Sequence, residues 1–285
     1  MKALKIIHLV LIIITSNYIN AQDHPFEVRV KGTGQPILLF PGFTCTADVW
    51  DDTVTELSKN YECHVFTFAG FGDVAPIEKP WFPKIKTGVE AYVKEQNLKN
   101  TIIVGHSLGG TLGLWLATET EHPFSKIIVV DALPSTGALM MPNFNSEALV
   151  YESPWNKQML AMDNASFAIM AARMAARMAT GMSMNKEKQG QIKDWILQAD
   201  RETYVYGYTD LLKLDLREDI SKINIPVIIL AAGQPYGLEM VKSRYANQYK
   251  KLQNYEIEFA ADAAHFIMYD SPTWFQEKLI TSLGN

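Results

Sequence analysis

The chain predicts an α/β protein, with a mostly parallel sheet covered by helices on both faces and a helical insertion late in the fold. Three observations carry this. Short continuous apolar runs alternate with amphipathic helical stretches from residue 36 to residue 131, the pattern becomes purely helical over residues 135–220, and the strand-and-helix alternation then resumes to the C-terminus. With 285 residues, 48% of them apolar, the chain is long enough to bury a sizeable core.

The N-terminal residues stand apart. Lys2 and Lys5 precede an apolar run over residues 6–14, and Ile19-Asn20-Ala21 follows as a small-residue cleavage site. Residues 1–21 therefore read as a secretory signal peptide, because the run is shorter than the roughly 18 to 20 apolar residues of a spanning helix. Its removal leaves no stable membrane insertion and implies export, to a periplasm or out of the cell. The formal charge of −5 becomes two units more negative on losing those two lysines. No basic stripe follows, which excludes nucleic acid as an expected partner. Oligomeric state is left open by the sequence.

In the core, assigned to residues 22–134 and 221–285, residues 26–30 alternate as a strand and residues 36–40 form a buried strand. Gly32-Thr33-Gly34 between them predicts a turn that closes a hairpin. It leads into a strand and not a helix, so it is not a dinucleotide loop. Helices are expected at residues 47–59, 85–97 and 108–120, and strands at 62–68, 101–105 and 126–131. A strand at 226–231, a helix at 238–250, a strand at 255–259 and a helix at 272–283 complete the core. Cys45 and Cys63 fall at opposite ends of neighbouring strands, roughly 15 Å apart, and are expected to be free, buried thiols.

Gly105-His106-Ser107-Leu108-Gly109-Gly110 follows the apolar run Thr101-Ile102-Ile103-Val104 and opens a helix. A Gly-x-Ser-x-Gly in that setting marks Ser107 as a nucleophile on a turn too tight for side chains two residues to either side. Pro41-Gly42-Phe43 leaves the end of strand 36–40, so the amides of Phe43 and Leu108 are expected to form an oxyanion hole. His265 lies between the last strand and the last helix, placed to take the Ser107 proton and return it to the leaving group. His106 is read as a packing and hydrogen-bonding neighbour. No His-x-x-x-His or cluster of Cys and His appears, so neither metal nor cofactor is expected.

The set Pro41-Gly42-Phe43, Trp50, Gly70-Phe71-Gly72, Gly105 to Gly110 and His265-Phe266 resembles the α/β-hydrolase superfamily over essentially the whole chain after the leader. The resemblance implies an eight-stranded, mostly parallel sheet, a Ser, acid, His triad and a helical cap roofing the pocket, without implying a substrate. It departs from the commonest pattern at the acid, since Ala231-Ala232-Gly233-Gln234-Pro235-Tyr236-Gly237 holds no carboxylate. Asp131, at the end of strand 126–131, occupies the alternative acid position used by some lipases and dehalogenases of that superfamily. Strands pair about 4.8 Å apart, so a carboxylate there is within reach of His265. Asp262, three residues before His265, is the competing candidate.

Residues 135–220 form the expected cap. Met170, Met174 and Met178 recur every four residues, and with Trp155 they are read as the apolar lining of a substrate pocket. The expected reaction is hydrolysis of a small-molecule carboxylic ester with an apolar acyl or alkyl group, through an acyl-enzyme on Ser107. Two other readings stay open: amide or lactone cleavage, including a small exopeptidase, by the same machinery, and a ligand-binding receptor with weak turnover. Only the missing acid after strand 226–231 favours the last.

Overall fold

The computed structural model describes residues 24–141 and 143–284, and the expected leader lies outside them. The first half runs β1 (Phe26–Lys31), β2 (Gln35–Phe40), α1 (Asp51–Leu57), β3 (Tyr61–Phe68), α2 (Trp81–Glu95), β4 (Thr101–His106), α3 (Leu108–Ala117) and β5 (Phe124–Val130). Between β5 and the next strand the chain is helical, with α4 (Thr136–Met140), α5 (Pro154–Ala161), α6 (Asn164–Met182), α7 (Lys186–Gln198) and α8 (Arg201–Lys213). It closes through β6 (Val227–Ala232), α9 (Leu238–Gln248), β7 (Tyr255–Ala260), α10 (Ile267–Asp270) and α11 (Pro272–Gly284). No helix among the described residues is long and apolar enough to cross a membrane.

The seven strands follow the order β1-β3-β2-β4-β5-β6-β7, and only β1 runs antiparallel to its neighbour. The expected hairpin does not form. β3 inserts between β1 and β2, pairing antiparallel with the first and parallel with the second. Gly32 and Gly34, both at positive φ, carry the chain past the start of β3, where a Cβ on either would strike the backbone of Ser58, Asn60 or Tyr61. The turn was legible and its partner was not, because a turn signal fixes direction only locally. The strand count is seven among the described residues, where the resemblance implied eight.

Alternation along each strand splits the core between the two faces of the sheet. Leu38, Phe40 and Ile103 pack on one face with residues of α2, α3 and α9, whereas Ile37, Leu39, Ile102 and Val104 pack on the other with residues of α1 and α11. Both faces are apolar because both are covered. Trp50 and Trp81 are wholly buried, one on each face. Cys45 and Cys63 are buried and unpaired. Burial pushes the Cys63 thiol up to about 11, so it is an inert apolar filler at neutral pH.

Parallel pairing brings Phe40 beside Gly105, His106 beside Val130, and Val130 beside Leu230. The loops that leave β2, β4, β5 and β6 therefore emerge side by side, the usual location of sites in open α/β sheets.

Candidate active site

Ser107 joins β4 to α3 with φ 54° and ψ −121°, a conformation that a serine adopts only when its surroundings enforce it. The surroundings here are steric. A Cβ on Gly105 would collide with the Gly109 backbone, and one on Gly109 would collide with the backbone of Phe40. Both flanking glycines are thus required by the closeness of strand, turn and helix, which is the reason read from the sequence. The Ser107 amide donates to the Val130 carbonyl at 2.9 Å, tying the turn to β5.

The β2 exit loop lies against this turn. A Cβ on Gly42 would come within 3.4 Å of the Ser107 Cβ and 2.8 Å of His106 Nδ1, so only glycine allows the approach. Phe43 follows on the cavity wall. Leu108 is the first residue of α3, where a backbone N–H has no acceptor within the helix.

His265 and Asp131 are joined directly. His265 Nδ1 lies 2.6 Å from Asp131 Oδ2. Asp131 follows β5 at φ 45°, its amide donating 2.8 Å to the Leu230 carbonyl of β6. Its other oxygen, Oδ1, accepts from the Ala232 amide at 2.9 Å and from the Tyr245 hydroxyl at 2.8 Å. Burial alone raises the Asp131 pKa, but the contacts to His265, Ala232 and Tyr245 outweigh it and hold the carboxyl below its ordinary range. An ionised carboxylate only accepts, so His265 Nδ1 carries the hydrogen of this bond, and Nε2 is the ring atom left to exchange a proton. Asp262 is exposed and holds no bond to His265.

Where the commonest family pattern has its acid, Gln234 serves the base loop differently. Its amide donates to the Ala263 carbonyl and its side-chain Nε2 to the Ala261 carbonyl, both at 2.9 Å. His106 does the same from the other side: its ring is wholly buried, and Nε2 lies 3.0 Å from the His265 carbonyl oxygen. Desolvation, with the charge of His265 adding to it, takes the His106 pKa down to about 3, so the ring is neutral and Nε2–H is the donor. Asp270 is the third tie. Oδ2 accepts from the Ala264 amide at 2.9 Å, while Oδ1 accepts from the Ser183 hydroxyl at 2.6 Å and the Met184 amide at 3.0 Å. Sequence reasoning missed Tyr245, Asp270 and the role of Gln234, because each holds a partner more than 25 residues away in the chain, Asp270 through Ser183 and Met184, and no local pattern marks it.

Ser107, Asp131, His265 and Phe43 line one cavity of about 430 Å³ between the strand ends and the helices that follow β5. Its apolar wall includes Met178, Met182, Ile192, Ile196, Tyr204 and Tyr208. Of the residues read as pocket lining, Met178 is there and Met170, Met174 and Trp155 are not. The buried seam of α6 is Ala171, Ala175 and Ala179, so the methionines flank it, and only the C-terminal end of the helix overhangs the site. Trp155 is 61% exposed and belongs to a second cavity.

A pattern described as the alpha/beta hydrolase family matches residues 37–277. Among characterised proteins the chain is 25% identical over 238 residues to a pimeloyl-[acyl-carrier protein] methyl ester esterase of Vibrio cholerae, covering 82% of this chain and 88% of the relative. It is 22% identical to 3-oxoadipate enol-lactonase 1 of Acinetobacter baylyi, covering 90% and 92% respectively. Among solved structures, an esterase from Exiguobacterium antarcticum superposes with a TM-score of 0.73 at 16% identity, over 95% of this chain and all of that one (100%). That likeness speaks for the fold alone. With the family pattern spanning the sheet, the serine turn and the histidine loop, the chain belongs to the alpha/beta hydrolase family.

Proposed function

We propose that this enzyme is a carboxylic-ester hydrolase that works through an acyl-enzyme on Ser107, and the Asp131–His265 contact at 2.6 Å is the observation that carries the reading. An imidazole whose Nδ1–H is held by a carboxylate presents Nε2 to the cavity as a general base, and Ser107 lines that cavity on a strained turn. In the proposed cycle Nε2 takes the Ser107 proton as Oγ attacks the ester carbonyl, and the amides of Phe43 and Leu108 hold the oxyanion. The His265 imidazolium then gives the proton to the departing alcohol. Water, deprotonated by the same nitrogen, attacks the acyl-enzyme, and the acid leaves as Ser107 regains its proton.

The largely apolar wall of the cavity supports an apolar acyl or alkyl group on a small-molecule ester. Lactones, being cyclic esters, fit the same cycle, and the enol-lactonase among the relatives favours including them. The feature that favoured a binding protein, the missing acid after β6, loses its force because β5 supplies a carboxylate to the histidine.

The test is a fluorophosphonate probe followed by a panel of aryl esters and lactones. Wild type is expected to be labelled and to turn over esters, whereas Ser107→Ala takes no label and loses roughly 10⁴- to 10⁶-fold in kcat. A wild type that resists the probe and every ester would return the chain to the binding class.

A further inference from the structure

We propose that Tyr204 and Tyr208 form an aromatic wall that limits the acyl chain the enzyme accepts, with a second, apolar cavity closed off behind it. This rests on the ester-hydrolase reading and assigns the substrate class as esters of short to medium acyl chains.

The cavity that holds Ser107 and the cavity of about 230 Å³ beside it have Tyr204 and Tyr208 as lining residues in common, and no others. The two side chains stand one turn apart on α8, their rings stacked with centroids 6.3 Å apart and planes 21° from parallel. They are braced on the active-site side by the Phe43 ring, whose centroid is 5.5 Å from that of Tyr204 and 5.6 Å from that of Tyr208. Gly207, between them, lets α8 press close, since a Cβ there would reach within 3.1 Å of the Trp81 ring and 3.2 Å of the Phe43 ring. The partition is therefore a packed piece of the fold and not two loose rings.

The far cavity has the chemistry of an alkyl site. Val150, Trp155, Met159 and Leu212 line it, and the polar side chains of Asn156 and Thr209 are already paired with protein. Asn156 Nδ2 donates to Thr209 Oγ1 and to the Tyr151 carbonyl, each at 3.0 Å, while the Thr209 hydroxyl donates to the Val205 carbonyl. Polar groups paired this way offer little to a polar ligand, and a void with apolar walls takes hydrocarbon. Behind the wall there is space of the right character for a longer chain, and two rings keep it out.

The experiment is a chain-length series of p-nitrophenyl esters from butyrate to palmitate on the full-length enzyme. Wild type is expected to lose kcat/KM steeply once the acyl chain outgrows the first cavity. Tyr208→Ala opens the wall and raises the long-to-short ratio of kcat/KM by about tenfold for each two methylenes newly buried. Tyr208→Phe keeps the ring and the wild-type ratio, which separates bulk from the hydroxyl. Ala148→Trp, filling the far cavity from its rim, is expected to cancel the gain when added to Tyr208→Ala. Should Tyr208→Ala fail to fold, Tyr204→Leu trims the same wall and reads the same shift. Displacement of a fluorescent dye from Ser107→Ala by fatty acids of graded length reads the wall without turnover, so failure of the hydrolytic reading and failure of the wall are told apart. Palmitate processed as readily as butyrate by wild type, or an opened wall with an unchanged ratio and unchanged fatty-acid preference, would overturn the proposal.

Discussion

His106 illustrates how much one buried side chain decides at this site. Its neighbour on the turn attracts attention as the nucleophile, but the His106 ring fixes the backbone of the residue that would serve as base, across 159 positions of chain. The role costs stability in acid. The unfolded ring binds a proton near 6.5 whereas the folded ring does so only near 3. The unfolded state therefore takes up the extra proton between those values, and stability falls as pH is lowered through that window. Chemical denaturation of His106→Phe across pH 3 to 7 is expected to show a flatter loss than wild type; an equal slope would remove the ring from the account. Asp131 acts in the same direction, since its folded pKa is depressed and the stability it lends is present above the ordinary carboxylate range and lost on acidification. Asp131→Asn should lower turnover by about 10⁴-fold with the fold intact, through loss of the tautomer that leaves Nε2 unprotonated. Near-normal turnover of that variant would dismiss the carboxylate. Legibility at this scale followed locality. Ser107 was marked by glycines two positions away, and Asp131 by its place at a strand end with Asp262 still competing, whereas Tyr245 and Asp270 sit in helices whose sequences say nothing about what lies opposite.

Among the elements, the β4–α3 elbow and the pair α6 and α7 show where pattern reading succeeds and where it slips. The elbow has no spare volume, so Gly105→Ala is expected to destabilise by about 1–3 kcal/mol and to slow fluorophosphonate labelling, because the added methyl meets backbone and cannot be accommodated by a rotamer change. Gly190 is the contrary case: it is exposed in the middle of α7, at an ordinary helical φ, with nothing within 4 Å of a Cβ. Gly190→Ala should raise stability by about 0.5–1 kcal/mol in a denaturant titration. In α6 the methionines repeat every four residues, but so do Ala171, Ala175 and Ala179, and it is the alanines that are buried. Both stripes satisfy the helical period. Close approach of a second helix selects the smaller residues, a choice that periodicity cannot make.

At the scale of the molecule, two carboxylates fasten the helices between β5 and β6 to α2 and to the histidine loop. Asp210 of α8 accepts from the Trp81 and Phe82 amides at 2.7 and 3.0 Å, and so supplies the cap that Pro80 cannot give α2. Asp270 joins the α6–α7 connection to the histidine loop. Asp270→Ala strands these donors and is expected to cost about 1–3 kcal/mol, and to lower kcat more than it changes KM. A variant with wild-type kcat would show that the latch does not steady His265. The expected leader lies outside the described residues; we propose that residues 1–21 are removed on export, so N-terminal sequencing of the mature protein should begin at Gln22, and an uncleaved N-terminus would refute that reading.

The sequence by itself determined what depends on neighbours along the chain: the strand and helix periods, the serine turn with its two obligatory glycines, the histidine loop and the place of each near a strand end. These are set by backbone sterics and by which side chains shun water over a few residues. Only the tertiary structure decided that β3 separates β1 from β2, that Asp131 and not Asp262 holds His265, that alanines and not methionines make the buried seam of α6, and that two tyrosines divide one cavity from another. Each of those is a choice among partners equally acceptable to local chemistry, and packing resolves it by admitting only one set of contacts at full density.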